Sequence, residues 1–321
     1  MAIPPTSGPR PLGINAVLAA AFETTYGTSP AGTYYKLPFV SHGLGEVQPL
    51  IEDDQLGFGR EGLDPTYDVI TNDGDIVVPV DLRGIGFWLR ATFGAPTSAS
   101  AGSGKFAHTF TSGATTLPTV TAEFGNPEVP TYSAHYGAAV NSLKIDLARS
   151  GMLNAVLSMI AQGEADPATT SIAGSPTLLR GPRFAQATGS ISVDGTAAGD
   201  VVSASLAYSN QLDKVEVIRE DGRIGGIDPG KAMSSGSLST RFTNLTLLNK
   251  ARAKTPIALS FGWKMDGGYS LIFTLPRVFL PKPKRAILGP KGIMADFDWQ
   301  ASGSSGAQLS VVLTNDTASY A

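Results

Sequence analysis

The 321-residue chain contains no cysteine and only three histidines. The first absence removes disulfides, thiolate nucleophiles and cysteine-held metals. Charged residues are scarce as well, at 16% against the roughly 25% of an ordinary soluble domain. The formal net charge of −3 leaves no surplus of Lys and Arg of the kind that grips nucleic acid. No apolar run approaches the length of a membrane helix, and the N-terminus, M-A-I-P-P-T-S-G-P-R-P, has no basic segment leading into an apolar one. We therefore expect neither an export signal nor a membrane span.

Catalytic patterns are missing too. His42, His108 and His135 fall in separate segments without metal-ligand spacing. Asp53 and Asp54 are adjacent, so on an extended backbone they point to opposite faces and read as a solvated acidic loop. Gly43-Leu-Gly45, Gly84-Ile-Gly86 and Gly225-Gly226 lack the strand-turn-helix context of a phosphate loop and read as turns. No Walker, zincin or nucleophile-elbow motif occurs. The expectation is a protein that is not an enzyme and holds no cofactor or metal.

What is present is Gly 37, Pro 22 and 42% apolar residues, the composition of a β-rich, turn-rich folded chain. The length suggests two domains. We divide the chain into an N-terminal arm (1–30), Pro/Gly-rich over its first 13 residues, and two domains, 31–185 and 186–321. A short helix is expected at Ile14–Phe22, and another at 84–93, where Ile85, Trp88, Leu89 and Phe93 share a face and Gly94 caps the end. Strands are expected at Val47–Ile51, Asp75–Leu82 (with Pro79 marking an edge or bulge), Phe106–Thr111, Thr119–Phe124, Val140–Ala148 and Met152–Ala161. Ala165–Pro182 reads as a linker. Beyond it the order repeats: strands at Val201–Tyr208 and Ser235–Phe242, a helix at Thr243–Ala251, then strands at Ile257–Phe261, Tyr269–Leu275, Ile293–Gln300 and Leu309–Leu313. The repeat suggests a duplicated domain. Trp88, Trp263 and Trp299 are scattered and core-directed, which disfavours a carbohydrate-binding pocket.

Charge is uneven. Ten acids and one base lie between Glu46 and Asp81, whereas Arg277, Lys282, Lys284, Arg285 and Lys291 follow one another without an acid. Residues 1–185 carry 10 bases and 16 acids, net −6, and residues 186–321 carry 14 and 11, net +3. A chain with one acidic and one basic surface suits head-to-tail stacking.

Several segments, taken in order, resemble the tail tube proteins (major tail proteins) of long-tailed, siphovirus-type bacteriophages. They are E-T-T-Y-G-T-S-P and L-P-F-V-S (Glu23–Ser41), D-G-D-I-V-V-P-V-D-L (Asp73–Leu82), A-T-F-G (Ala91–Gly94), F-A-H-T-F (Phe106–Phe110), H-Y-G-A-A-V-N-S-L-K-I-D (His135–Asp146) and I-S-V-D-G (Ile191–Gly195). The resemblance implies a mainly β fold, a β-sandwich or half-barrel with a short flanking helix, whose hairpins join neighbours into a closed barrel. It implies stacked rings, trimeric with pseudo-sixfold symmetry where the fold is duplicated, or else hexameric, through which double-stranded DNA passes without specific contact. It also implies tape measure, tail terminator and baseplate proteins as partners, a virion location and assembly in the bacterial cytoplasm. A baseplate or capsid-decorating protein is the alternative.

Six folds of about four strands, 4.8 Å apart and tilted about 40°, give a circumference of about 150 Å and a bore of roughly 40 Å. By alternation, Lys144, Asp146, Asn154 and Ser158 in the first half, with Asp296 and Asp298 in the second, are expected to face that bore. Glu52, Asp53, Asp54, Asp64 and Asp68 are expected to meet Lys282, Lys284 and Arg285 of an adjacent ring or subunit.

Overall fold

The computed structural model describes residues 10–284, 292–304 and 306–320. Among these, the first half of the chain forms β1 (Val17–Phe22), β2 (Tyr35–Leu37), β3 (Ser41–His42), β4 (Gly45–Val47), β5 (Leu50–Ile51), β6 (Thr66–Tyr67) and β7 (Thr71–Pro79), then helix α1 (Gly84–Phe93). It continues with β8 (Thr97–Gly102), β9 (Lys105–Thr111), β10 (Val120–Asn126), β11 (Thr131–Leu147), β12 (Asn154–Ala161), β13 (Gly163–Glu164) and β14 (Thr177–Leu178). The second half forms β15 (Gly189–Val193), β16 (Thr196–Ala197), β17 (Val201–Ser209), β18 (Asp213–Val215), β19 (Gly226–Asp228) and β20 (Met233–Arg241), then helix α2 (Thr246–Arg252). Last come β21 (Ile257–Met265), β22 (Tyr269–Phe279), β23 (Met294–Ala301) and β24 (Ser310–Asn315). The fold is mainly β, and the strands of one chain do not close into a barrel.

The pairings of the first half are β1–β10, β10–β11, β11–β12, β11–β13, β12–β7, and β7 with β3 and β4. Those of the second half are β15–β21, β21–β22, β22–β23, β22–β24, β23–β20 and β20–β17, in the same succession. In each half the helix follows the corresponding strand, α1 after β7 and α2 after β20. The halves are welded twice. The C-terminal part of β11 pairs with β17 from Ser142–Ser209 to Leu147–Ala204, and β24 pairs with β9. The expected boundary at residue 185 therefore does not separate two sheets.

Long strand β11 passes from one layer to the other, pairing with β10 up to Ala138 and with β12 from Ala139 onward. Gly137 makes that passage at φ +61, a left-handed conformation that favours glycine. A Cβ there would stand 2.7 Å from the Gln162 side chain. Its N–H is held by Glu23, whose carboxylate also accepts from Thr119, Thr121 and Gly27 at 2.7–3.0 Å.

Helix α1 is buried on every side except at Arg90, which lays its guanidinium 4.0 Å over the Phe22 ring. Asp81 organises the N-terminus of the helix: Oδ1 accepts from the N–H groups of Arg83 and Ile85, and Oδ2 from that of Gly181. Burial raises the Asp81 pKa above the usual carboxylate range, even though those N–H groups favour the charged form. The helix expected at 84–93 is α1, and Gly84 and Gly86, read also as turn residues, lie inside it. A Cβ on Gly86 would lie 2.1 Å from the ring of Tyr320, which seals the helix and donates from its hydroxyl to Arg83 O at 2.7 Å.

Three further expectations are corrected. Residues Ile14–Phe22 do not form a helix; β1 occupies Val17–Phe22 inside the stretch expected to be an arm. The segment Ala165–Pro182 is not a free linker: β14 pairs in parallel with β2, Ala168 bridges to Tyr132, and Ser171 and Ile172 both donate to buried Glu123. Ala173 of that segment packs with Ala19, Ala21 and Tyr34, while Leu18 and Ala20 face the main core. Covered on both faces, β1 loses the polar alternation of an ordinary strand. The expected strand Val47–Ile51 splits into the ends of β4 and β5, which pair with different partners.

Candidate functional site

Six strands form one continuous antiparallel sheet in the order β7–β12–β11–β17–β20–β23. One face is core. Ile76, Val78, Leu143, Ile145, Leu157, Leu206 and Leu238 lie there with no exposure. Because side chains alternate along a strand, everything between them stands on the other face.

That second face can be followed row by row. Asp75 stands opposite Ser158, Ser158 opposite Ser142, and Ser142 opposite Ser209. The next row runs Val77, Val156, Lys144, Ala207, Ser235, Gln300 across all six strands. A further row runs Asp146, Ser205, Ser237, Asp298. Asn154 lies opposite Pro79, and Asp296 opposite Ser239. The structure thus brings Lys144, Asp146, Asn154, Ser158, Asp296 and Asp298 onto a single face. Reading the sequence alone had not marked the serines of β17 and β20 that join the two groups. Their signal was the period-two pattern S-S-G-S-L-S-T at Ser234–Thr240.

The face is held by short polar contacts within the sheet. Ser205 and Ser237 share a hydroxyl hydrogen bond at 2.8 Å, Ser239 donates to Asp296 at 2.5 Å, and Lys144 and Asp146 pair at 3.1 Å. Arg183 donates to Asn154 Oδ1 at 2.6 Å. Asp75, Asp146, Asp296 and Asp298 outnumber Lys144, Arg241 and the Arg183 that reaches Asn154, so the surface is weakly negative. It displays small hydroxyls and carboxylates and no cluster of exposed aromatic rings, a composition that repels phosphate.

The sheet has two different ends. At the end where β7 begins, β4 and β7 are linked by the long excursion carrying β5 and β6, and β17 and β20 by the one carrying β18 and β19. Ile70 N–H donates to Gly222 O at 3.0 Å, tying the two excursions together. Glu52, Asp53, Asp54 and Asp64 are exposed on the first excursion, and Asp68 is half-buried. Within the chain these acids do not meet Lys282 and Lys284, which are exposed just after β22; Arg285 lies outside the described residues. Five of the ten acids counted between Glu46 and Asp81 are engaged inside the chain: Asp53 accepts from Gln55 and Asp68 from Val69 N–H, both local contacts, and three others make contacts with distant residues or cap a helix. Glu46 binds Arg223 through two contacts of 2.9 and 3.0 Å, Asp73 binds Lys214, and Asp81 holds α1.

At the same end lies a partly buried polar cluster, with Asn72 and His135 at its centre, that spacing in the sequence did not reveal. Glu46 and Glu164 accept each other's backbone N–H. Glu164 also stands 3.9 Å from His135 Nδ1, which contacts Asn72 at 3.2 Å. His42 stacks on Phe124 at 3.7 Å, and the edge of His135 approaches the same ring at 5.7 Å. Burial pushes the His135 pKa down to about 4 and lowers that of His42. Among the described residues no group of three or more His, Asp or Glu is placed to hold a metal ion, and no helix is long and apolar enough to cross a membrane.

No curated protein matches the chain. The family model described as phage tail tube protein matches residues 13–301, nearly the whole chain and the whole of the six-stranded sheet. A β-rich chain with a six-stranded sheet that is core on one face and largely polar on the other fits that family's structural role in the virion tail. The chain belongs to the phage tail tube protein family.

Proposed function

We propose that this chain is the repeating subunit of the tail tube of a long-tailed phage, a conduit for the genome whose bore is lined by the serine-rich face of the six-stranded sheet. The observation that carries the reading is the two-sidedness of that sheet: one face is wholly core, and the other is built largely of small polar side chains, with carboxylates on β7, β11 and β23 and a few apolar residues such as Val77 and Val156 between them. A surface of this kind lets duplex DNA slide, because its few cations, Lys144 and Arg241 among them, are outnumbered by carboxylates and offer little counterion release. Lys144, Asp146, Asn154, Ser158, Asp296 and Asp298 are the residues that would meet the DNA.

The repeated succession of pairings supports a tandem duplication within 31–185 and 186–321, and hence three chains per ring with pseudo-sixfold symmetry. Inside the chain, β11 of one half joins β17 of the next. Among the described residues β3 and β4 pair only with β7, and β23 meets β22 only at Val278–Ala301 and Phe279–Gln300. These are the sheet's two edges, and joining them between chains closes a barrel and removes exposed edges. Lys282 and Lys284, exposed just after β22, which meets that second edge at Val278 and Phe279, serve that lateral contact. Tape measure, terminator and baseplate proteins would be its partners along and at the ends of the tube, with assembly in the host cytoplasm.

Sedimentation and negative-stain microscopy over a range of protein concentrations test the reading. Rings or hollow tubes built from threes are expected, and rings of six chains would overturn the duplication. A monomer at every salt and concentration would overturn the tube.

A further inference from the structure

The β5–β6 excursion carries two of the most exposed apolar side chains of the protein, Leu56 at 93% and Phe58 at 65% exposure. Around them stand Glu52, Asp53, Asp54, Glu61 and Asp64 against the single base Arg60. An apolar tip in an acidic collar is costly to leave in water and is suited to a basic, apolar-floored receptor.

Such a receptor exists at the opposite end of the molecule. A cavity of about 990 Å³ opens beside Pro79, floored by Ile14, Val17, Leu37, Pro38, Phe39 and Val40. Its cations are Lys36, Arg180 and Arg183, all exposed. Its one acid, Asp81, is buried and committed to α1. Hairpin and cavity sit at the two ends of β7, a nine-residue strand about 26 Å long at 3.3 Å per residue. The length of β7 separates the hairpin from its own chain's cavity, so the cavity it fits belongs to another copy. A contact between unlike surfaces at opposite ends does not close on itself; repeated, it makes a filament.

We propose that the β5–β6 excursion of one copy, with Leu56 and Phe58 foremost, docks in the cavity beside Pro79 of the copy stacked next to it along the tube axis, and that Glu52, Asp53 and Asp54 there meet Lys36, Arg180 and Arg183. This rests on the tube reading and names its stacking contact. It assigns the acidic segment to these three cations and leaves Lys282 and Lys284 to the lateral contact.

The absence of cysteine makes the test direct. In one variant Phe58→Cys is combined with Val40→Cys, and in a control Phe58→Cys is combined with Val202→Cys, which lines the cavity of the second half at the same end. All three positions are largely exposed, so folding is preserved. Treated with a short bismaleimide after assembly, the first variant is expected to give a ladder of covalent multimers on a denaturing gel, and the control is not. The pair Lys36→Glu and Arg180→Glu should raise the concentration needed for assembly at least tenfold, and adding Glu52→Lys, Asp53→Lys and Asp54→Lys should restore it. Assembled tubes without a ladder, or with one only in the control, overturn this docking while leaving the tube intact. Wild-type chains that never assemble overturn the tube reading and the docking together.

Discussion

Ile145 on β11 stands directly across from Leu206 on β17, and neither has any solvent exposure. This pair lies at the seam where the sheet of the first half becomes the sheet of the second. Truncating Ile145 to Ala should cost about 2–5 kcal/mol, since a cavity is left between two strands that cannot collapse independently. Because the seam and the β9–β24 pairing weld the halves, urea should unfold them together. Trp88 reports on the first half, and Trp263 and Trp299 on the second. Single-tryptophan variants should show coincident transitions, before and after the substitution. Two separated transitions would mean that the halves are independent domains.

The contact of Gly86 with Tyr320 predicts a coupled pair. Gly86→Ala drives a methyl into the phenol ring and should destabilise the protein by about 1–3 kcal/mol. Tyr320→Ala alone should also destabilise, by opening the cover over α1. In the double variant the clash has no partner, so the two costs should fall short of additive in a thermal or urea double-mutant cycle. Strict additivity would contradict the packing described.

Acid should weaken the first half through His135. Its folded-state pKa is lowered to about 4 from an ordinary 6.5, so the unfolded chain binds the proton more readily. The associated stability is complete above about pH 6.5 and is lost as the pH falls from there toward 4. The total loss is at most about 3 kcal/mol at 1.36 kcal/mol per unit. Glu164 and His42 face the same imidazole, the first favouring its charge and the second opposing it. Urea titrations at pH 7 and pH 4.5 should show a steeper fall for the wild type than for His135→Gln. Equal falls would remove His135 as the cause.

The lumen assignment predicts a gain of DNA binding. Replacing Asp296 and Asp298 with Lys turns the acidic edge of the polar face basic without touching the core face. Tubes of that variant should retain short duplex DNA at low salt and release it as salt rises, whereas wild-type tubes should retain none. Variant tubes that bind no more DNA than the wild type would place those carboxylates elsewhere.

How much of this was readable in the sequence depended on whether a strand has one covered face or two. The alternation of Leu143, Ile145 and Leu147 with Lys144 and Asp146 survives because only one side of β11 is core there, and that alternation located part of the polar face. In β1 the run Ala19–Ala20–Ala21 is covered on both sides, so the same rule misread it as helix. The cover itself, Ala173, lies in a Pro/Gly/Ala-rich stretch whose composition reads as linker. The Glu46–Arg223 and Glu164–His135 contacts join residues that are distant along the chain, and only the register of β4, β7, β11 and β13 brings them together. Gly84 and Gly86 read as turn glycines because what requires them is the approach of Asp81 and Tyr320, which spacing does not encode.

In the proposed tube, the face carrying Ser158, Ser205, Ser237 and Asp298 lines the bore. A cryo-electron microscopy reconstruction of assembled tubes, at a resolution that traces strands, measures this directly. Three chains per ring, a bore of roughly 40 Å at a strand spacing of about 4.8 Å and a tilt of about 40°, and those four residues pointing to the axis are expected. Tubes in which that face points outward or is buried between rings would contradict it.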